Sequence, residues 1–181
     1  KYNLKKIVAI TKRNILKKTD GIFLDETQNC LKEFPDISLQ EIYIDNMAQQ
    51  LVVNPEQFND SVLLSTNLFM DIISELASGI VGSIGLIYSA NMGDSFAMFE
   101  AAHGSAPSFK GQNKVNPTAT ILAGAWMAEY LGEGHIKDAI FSATEYIINE
   151  NKTTTFDIGG SATTTQMSDA ISSITKEKLR K

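Results

Sequence analysis

The chain has 181 residues, of which 43% are hydrophobic and 20% are charged, the composition of an ordinary globular domain. Its 16 basic and 21 acidic residues give a formal net charge of −5, which disfavours a nucleic-acid partner because phosphate binding requires a basic surface. No apolar run is long enough to span a bilayer and the single cysteine, Cys30, excludes an internal disulfide, so we expect a cytoplasmic protein without a membrane role, an organelle matrix being left open.

The first half of the chain alternates short apolar runs with helical segments. Strands are predicted at 7–10, 41–45 and 61–65, and helices at 15–34, 47–53 and 69–81. This alternation predicts an α/β architecture. The last of these helices carries an apolar stripe formed by Ile72, Ile73, Leu76, Ala77 and Ile80. Periodicity favours a core role for the stripe over packing against a second copy, and both interpretations stay open.

Two carboxylates in the first half lie one helical turn apart. Asp71 and Glu75 fall on one face of the predicted helix, where like charges repel by about 0.2–0.5 kcal/mol unless a cation lies between them. A third carboxylate, Asp45, stands where the second strand passes into a helix. Oxygen ligands of this kind favour Mg²⁺ or Mn²⁺. Each residue also has a plain structural interpretation, Asp45 as a helix cap and the other two as part of a solvated face.

In the second half, a loop of small residues precedes a helix within the segment 100–122. The small residues of the loop are Gly104, Ser105, Ala106 and Pro107. Backbone amides in such a loop can approach a flat or anionic ligand closely. Asn116 and Pro117 form a helix start signal, because asparagine suits the N-cap and proline the first helical position. The segment predicts a nucleotide-binding loop, although a surface loop before a helix has the same pattern.

The remainder of the second half is predicted to be mostly helical. Helices are expected at 117–131, 136–149 and 164–178, and the segment 155–163 is expected to form a strand, a Gly-Gly turn and the start of the last helix. The change in character after Gly85 places a predicted domain boundary near Ser89.

Several motifs together resemble the C-terminal half of the isocitrate/isopropylmalate dehydrogenase family of metal-dependent, NAD(P)-linked β-decarboxylating dehydrogenases. The resemblance covers nearly all of the chain, in the order of the family's motifs. The motifs are Lys12-Arg-Asn14, Thr19-Asp-Gly-Ile-Phe23, Tyr43-Ile-Asp45-Asn-Met-Ala48, Asn67-Leu-Phe-Met-Asp71, Gly82-Ser-Ile-Gly85, Phe99-Glu-Ala-Ala-His-Gly-Ser-Ala-Pro107, Asn116-Pro117 and Asp157-Ile-Gly-Gly160.

The resemblance implies part of an isopropylmalate dehydrogenase-like α/β fold. Residues 1–88 would belong to a small, dimer-forming domain with the metal and substrate residues, and residues 89–181 to the C-terminal part of a large dinucleotide-binding domain. In complete members, an N-terminal half supplies the serine and arginines that grip substrate carboxylates and the tyrosine that acts as an acid. We therefore expect this chain to need that missing half and to be inactive alone.

The resemblance also implies roles for the polar residues of the first half. Lys12 would assist removal of the substrate's hydroxyl proton, and Asn14 would lie beside the substrate. Asp45 would be catalytic and would bind the metal of the neighbouring subunit, whereas Asp71 and Glu75 would bind the metal of their own subunit. The site would then straddle a homodimer or a larger homo-oligomer. An ordinary exposed lysine at a strand end is the alternative interpretation of Lys12.

A second set of residues matches the family's cofactor loop. These residues are Glu100, His103, Gly104, Ser105, Ala106, Pro107 and Asn116. In the family this loop surrounds the adenosine part of NAD or NADP, and the asparagine meets the adenine. His103 can also be interpreted as a packing residue. The stretch Ser108-Phe109-Lys110 has neither an NAD nor an NADP signature, so the choice stays open, leaning to NAD.

Two residues depart from the family's pattern. Glu75 stands where a second aspartate is usual. Its extra methylene changes the reach of the carboxylate, which matters because Mg²⁺ requires a near-octahedral arrangement of its ligands. Met70 stands where a glycine is usual, and a methionine directed into the pocket would crowd the substrate. These departures keep altered substrate choice and loss of activity open.

The segment around Lys12 resembles the isocitrate and homoisocitrate branches more than the isopropylmalate branch. We therefore expect the complete dimeric enzyme to oxidise and decarboxylate isocitrate to 2-oxoglutarate, with reduction of NAD(P). Homoisocitrate and 3-isopropylmalate are the alternative substrates. A non-catalytic regulatory or assembly subunit, or a truncated product, is the alternative role.

Overall fold

The chain folds into two compact units, seen in a computed structural model that describes residues 4–180. The N-terminal unit ends at Ile80 and the C-terminal unit begins at Val81. Within the described residues, no helix is both long enough and apolar enough to cross a membrane. The assignment of 1–88 and 89–181 to two domains of a larger protein stays a prediction.

A three-stranded parallel sheet forms the centre of the N-terminal unit. Its strands are β1 (Lys6–Thr11), β2 (Ser38–Tyr43) and β3 (Val62–Ser65), in the order β2-β1-β3. The helices that follow the strands are α1 (Thr19–Leu31), α2 (Ile44–Val53) and α3 (Asn67–Val81). The central strand is the most deeply buried, because Val8, Ala9 and Ile10 have no exposed surface. The predicted α/β architecture is confirmed.

The bounds of the elements in this unit differ from those predicted, and two of the differences have a clear cause. The helix predicted at 15–34 begins only at Thr19, because Ile15 and Leu16 donate their backbone N–H groups to the Lys12 carbonyl oxygen and form a turn. The strand predicted to end at Asp45 ends at Tyr43, and Asp45 lies in the first turn of α2. A helix N-terminus stabilises a carboxylate at that position.

The core of the N-terminal unit lies between the sheet and its helices. Its buried hydrophobic side chains are Val8, Ile10, Ile42, Met47, Leu51, Phe58 and Ile73. In α3, Ile73 is 1% exposed, whereas Ile72 is 49% exposed and Ile80 is 41% exposed. One edge of the predicted apolar stripe is therefore core, and the other edge is uncovered in the single chain.

The C-terminal unit packs helices on a two-stranded antiparallel sheet and on one another. The strands are β4 (Tyr88–Met92) and β5 (Ala97–Ala101), and the helices are α4 (Thr118–Tyr130), α5 (Gly134–Glu150) and α6 (Thr164–Leu179). Trp126 of α4 makes edge-on ring contacts with Tyr88 of β4 and Phe99 of β5, each with 5.8 Å between ring centroids. A second cluster joins α5 to α6 through Ala143, Ile147, Met167 and Ile171.

The segment 155–163 contains no strand, contrary to the prediction. Phe156–Ile158 form a short 3-10 helix that ends at Gly159, whose φ of 86° lies in the left-handed region. The backbone N–H of Gly160 donates to the Thr155 carbonyl oxygen at 2.9 Å, so the backbone closes a local turn and is not available for a strand ladder. This turn leads directly into α6.

Candidate functional site

The polar residues predicted for catalysis lie where the strands of the parallel sheet end. Lys12 directly follows β1, and Asp45 lies two residues beyond the end of β2. Strands β1 and β2 are parallel, and Thr11 lies opposite Tyr43 at their last shared position. Because the carboxyl ends of parallel strands meet at one edge of the sheet, this edge is the usual place for a ligand in an open α/β sheet.

Lys12 and Asp45 form an ion pair at this edge. The Lys12 Nζ donates a hydrogen bond to Asp45 Oδ1 at 2.6 Å, and the two side chains are 25% and 68% exposed. This bond, helped by backbone N–H groups at the start of α2, holds the pKa of Asp45 below its usual range. Asp45 therefore stays ionised and retains carboxylate oxygen for a further ligand.

The main chain of Lys12 is held as firmly as its side chain. Its N–H donates to the buried carboxylate of Asp20 at 2.5 Å, and its carbonyl oxygen accepts from Ile15 at 2.9 Å and from Leu16 at 2.8 Å. The ammonium also lies 5.8 Å from the centre of the Tyr43 ring. Asp20 belongs to the motif Thr19-Asp-Gly-Ile-Phe23, but the sequence predicts no role for it, because nothing in the local pattern marks a residue in the first turn of a helix as buried.

Arg13, the next residue, forms an ion pair with Glu41 of the neighbouring strand β2. Its Nε and Nη2 donate to the two oxygens of Glu41 at 3.0 Å and 2.7 Å, and the Thr11 hydroxyl donates to the same carboxylate at 2.7 Å. The Arg13 guanidinium lowers the pKa of Glu41, and Glu41 in turn raises the pKa of Arg13. This network ties β1 to β2 beside the Lys12–Asp45 pair.

The other predicted residues of the N-terminal unit are exposed. Asn14 lies in the exposed turn between β1 and α1, in the same segment as Lys12. Asp71 and Glu75 are exposed one helical turn apart on α3, as predicted from their spacing. Among residues 4–180, no three His, Cys, Asp or Glu side chains come close enough to hold a metal ion. A single chain thus offers carboxylates for such a site without assembling three of them.

Met70 packs against the core of the N-terminal unit. Its partly buried side chain joins the hydrophobic cluster that includes Ile73 and Met47. Core packing therefore accounts for a methionine at this point of α3. Crowding of a substrate pocket by Met70 stays a prediction.

The predicted nucleotide loop borders an open groove in the C-terminal unit. The groove has a volume of about 480 Å³ and is lined by Ser105, Ala106, Pro107, Phe109, Lys110, Gly111, Asn113, Lys114, Val115 and Thr164. Ala106 adopts a left-handed conformation with φ of 41°, which turns the chain into the short 3-10 helix Pro107–Phe109. Three of the predicted residues, Ser105, Ala106 and Pro107, therefore line one groove.

The remaining residues of the predicted cofactor set lie outside the lining of the groove. Glu100 is an exposed residue of β5 whose carboxylate accepts from Asn91 Nδ2 at 3.1 Å. His103 is exposed, and its Nδ1 lies 2.9 Å from the carbonyl oxygen of Gly104. Gly104 is exposed and has open space where a Cβ would stand.

Asn116 is buried and caps α4. Its Oδ1 accepts from the Thr118 N–H at 3.0 Å, which confirms the predicted helix start signal, and Pro117 has the helical φ of −84° expected of the next position. The Asn116 Nδ2 donates to Asp157 at 3.0 Å. Each end of the side-chain amide thus has a hydrogen-bond partner within the protein.

Asp157 joins three separate segments of the C-terminal unit. Its carboxylate accepts hydrogen bonds from Ser83, Thr155 and Asn116. Burial raises the pKa of Asp157, but the three hydrogen bonds together outweigh burial and leave the pKa below its usual range. Gly85 fits against this cluster without room for a side chain, since a Cβ there would lie 2.8 Å from the Asn116 Cβ.

A pair of aromatic rings with an ammonium lies beside the groove. Phe109 and Phe156 have ring centroids 5.6 Å apart, and the Lys114 Nζ lies 4.5 Å from the centre of the Phe156 ring. Lys110 is the second cation of the lining. Among the described residues that line the groove there is no carboxylate, so its chemistry suits an anionic or aromatic ligand.

Comparison with known proteins agrees with these features. The chain is 44% identical over 160 residues to the isocitrate/homoisocitrate dehydrogenase of Thermus thermophilus, covering 88% of this chain and 47% of that protein. It is 38% identical over 178 residues to a regulatory chain of the mitochondrial NAD isocitrate dehydrogenase of Dictyostelium discoideum, covering 98% and 50%. The chain thus spans about half the length of the curated relatives it matches.

The fold agrees with solved structures of the same group. The crystal structure of isocitrate dehydrogenase from Methylococcus capsulatus superposes with a TM-score of 0.91 at 40% identity, over 95% of this chain and 51% of that one. The family model for isocitrate/isopropylmalate dehydrogenase matches residues 1–171. The chain belongs to the isocitrate/isopropylmalate dehydrogenase family.

Proposed function

We propose that the complete protein containing this chain oxidises and decarboxylates isocitrate to 2-oxoglutarate, with a divalent cation and with reduction of NAD(P). Family membership supports a dehydrogenase acting on a 2-hydroxy acid. The observation that carries the assignment of roles is the ion pair of Lys12 and Asp45, 2.6 Å apart, at the carboxyl ends of parallel strands. An amine and a carboxylate held together there can manage both a proton and a cation.

In its neutral form, after the ammonium has released a proton to water, Lys12 is the proposed acceptor of the proton that leaves the substrate's hydroxyl group. Its position is fixed through its main chain by Asp20 and through its ammonium by Asp45, so its side chain has little freedom left. Asn14, two residues on, is the proposed polar contact to the substrate. General base catalysis requires such fixed placement within hydrogen-bond distance of the proton that is removed.

Asp45, Asp71 and Glu75 are the proposed ligands of Mg²⁺ or Mn²⁺. The donor set fits, because all three offer carboxylate oxygens and lie on helices with exposed side chains. Since the described residues of one chain do not gather three such groups, we propose that Asp45 serves the site of a second copy. When bound, the cation would polarise the oxygens of the substrate and favour loss of carbon dioxide.

The groove beside 105–115 is the proposed place of the adenosine part of the nucleotide, which accepts the hydride. Its volume of about 480 Å³ lies in the range of small-molecule sites. The sequence leans to NAD, whereas the lining combines Lys110 and Lys114 with no carboxylate among the described residues, which supports NADP. We therefore propose that the complete protein accepts a phosphorylated ribose.

A dimer or larger homo-oligomer, without a membrane partner, is the proposed assembly. The uncovered edge of the α3 stripe, with Ile72 and Ile80, supports an interface at this helix. A cytoplasmic location stays a prediction, and an organelle matrix is compatible with the same chemistry.

Turnover by the complete protein tests the proposal. The complete protein is assayed with isocitrate, homoisocitrate and 3-isopropylmalate, each with Mg²⁺ and with NAD or NADP, and the reduced nucleotide and carbon dioxide are measured. We expect turnover of isocitrate and a fall of at least about a hundredfold in kcat for Lys12→Met, because a fixed general base contributes about 10²–10⁴-fold. Lys17→Met, an exposed lysine of the same turn, is the control.

The Dictyostelium relative and Glu75 favour a second candidate, a non-catalytic regulatory role. Absence of turnover with every substrate, nucleotide and cation would end the enzyme assignment. A change in the kinetics of an added catalytic partner, without turnover by this protein itself, would instead support the regulatory role.

A further inference from the structure

Asp20 is a buried carboxylate for which the proposed chemistry has no direct use. It lies in the first turn of α1, is 4% exposed and accepts the backbone N–H of Lys12 at 2.5 Å. We infer that Asp20 is a positioning residue, which fixes the direction in which the Lys12 side chain leaves the main chain. The inference rests on the proposed role of Lys12 in proton removal.

The shorter of the two side-chain hydrogen bonds of Asp20 is the one from Lys12. Oδ2 receives the Lys12 N–H, and Oδ1 has a long contact of 3.4 Å with the hydroxyl of the adjacent Thr19. Burying a carboxylate is costly unless hydrogen bonds or a helix N-terminus compensate for the lost water. The start of α1 supplies part of that compensation, and the Lys12 N–H supplies the short hydrogen bond.

The hydrogen bonds on both sides of Lys12 define its orientation. Its carbonyl oxygen accepts from Ile15 and Leu16, and its N–H donates to Asp20, so both peptide groups that flank its Cα are held. The direction of the Cα–Cβ bond is then set by the main chain. Only the torsions of the side chain remain free, and the Asp45 carboxylate holds their far end at 2.6 Å. Loss of Asp20 would remove the hydrogen bond that holds the Lys12 main chain, and with it the direction of the Cα–Cβ bond.

The neighbouring strand residues are tied to other partners. Thr11 and Arg13 both donate to Glu41, which anchors β1 to β2, whereas the Lys12 N–H between them donates to Asp20. Asp20 is therefore the side chain through which α1 acts on the proposed base. Asparagine in place of Asp20 keeps an acceptor oxygen of the same reach, whereas alanine removes it.

Kinetics of the complete protein provide the first test. We expect Asp20→Ala to lower kcat about 10–100-fold with KM changed less than about threefold, because a small misplacement of a catalytic group costs up to about 10² in rate. Asp20→Asn should recover most of the loss, since its oxygen can still accept the Lys12 N–H. Glu26→Gln, an exposed acid of the same helix, is the matched control and should behave as wild type.

The reactivity of the Lys12 amine provides a second test that does not depend on turnover. Limited acetylation followed by mass spectrometry gives the rate at Lys12 relative to the exposed Lys17 and Lys18. We expect Asp20→Ala to raise this relative rate several-fold and Asp20→Asn to leave it near wild type.

The outcomes distinguish the proposed function from the positioning role of Asp20. If wild type turns over no substrate, the proposed function fails, while the acetylation rates still decide the role of Asp20. An unchanged kcat and an unchanged Lys12 reactivity in a folded Asp20→Ala protein would overturn the inference. Equal losses in Asp20→Ala and Asp20→Asn, accompanied by equal losses of thermal stability, would also overturn it, because a purely structural charge would then explain Asp20.

Discussion

Single polar residues in this chain acquire their properties from partners that are distant in sequence. Asp45 is paired with Lys12, and Asp157 accepts from Ser83 and Asn116, so both carboxyl groups have pKa values below their usual range. The cause differs between them. Asp45 is an exposed acid beside an ammonium, whereas Asp157 is a partly buried acid whose hydrogen bonds outweigh the effect of burial.

The lowered pKa of Asp157 predicts an acid limit to stability. Because the folded pKa lies below the unfolded value of about 3.8, the ionised group contributes stability that is complete above pH 3.8 and is lost as the pH falls through the folded pKa. Asp157→Asn should therefore be less stable near neutral pH and should lose less stability on acidification. Denaturant unfolding at a series of pH values between about pH 2 and pH 7 measures the free energy of unfolding on both sides of the unfolded pKa of 3.8.

A matched variant isolates the effect of Asp157 from that of other acids. Asp169→Asn removes an exposed carboxylate of α6 in the same unit and should keep the wild-type pH profile. If Asp157→Asn and wild type lose stability in parallel on acidification, the hydrogen bonds of Asp157 do not stabilise its charge.

At the scale of elements, short turns hold the ends of helices in place. The turn around Ser83 and Gly85, the start of α4 and the 3-10 helix Phe156–Ile158 meet at Asp157. Gly85 permits the meeting, because its position leaves no space for a side chain beside Asn116. The loop that borders the proposed nucleotide groove leads into this same helix start.

Gly85→Ala is therefore expected to disturb the C-terminal unit. A Cβ would stand 2.8 Å from the Asn116 Cβ, so the start of α4 must shift, at a cost of about 1–3 kcal/mol in the free energy of unfolding. Gly104→Ala is the control, since open space surrounds a Cβ at that position. Chemical denaturation measures both variants, and equal stabilities would show that the Asn116 cluster is not tightly packed.

Elements of the fold followed from periodicity and from strong helix signals. The strand around Val8 and Ile10 and the start of α4 at Asn116-Pro117 are local features, and the structure confirms them. The strand expected within 155–163 is wrong, because the chain forms a short 3-10 helix that ends at Gly159 and the Asp157 carboxylate accepts from partners 41 and 74 residues away. Local pattern carries no information about such distant contacts.

Some residues of the candidate site were also predictable from the sequence, and others were not. Motif resemblance selected Lys12 and Asp45, and the structure brings them to 2.6 Å. It included Asp20 in a motif without giving it a role, since the burial of Asp20 depends on how α1 packs. It also raised crowding of a pocket by Met70, and the structure shows the partly buried Met70 packed against the core. The ligand role of Asn116 stays a prediction, and its amide already has a partner within the protein at each end.

At the scale of the whole molecule, the proposed metal site requires two copies of the chain. One copy would supply Asp45 beside Lys12, and the other would supply Asp71 and Glu75, because no three His, Cys, Asp or Glu side chains of residues 4–180 come together in one chain to hold a metal. In a two-fold symmetric dimer each copy then completes the site of its partner. Neither copy could act alone, whatever its own stability.

Hybrid dimers test this shared site most directly. Asp45→Asn and Asp71→Asn versions of the complete protein are each expected to be inactive. When the two are mixed, unfolded and refolded together, half of the dimers are hybrids in which one of the two sites has all its ligands, so about a quarter of wild-type isocitrate turnover should return. No recovery of activity from a mixture shown by mass spectrometry to contain hybrids would contradict a site shared between two copies.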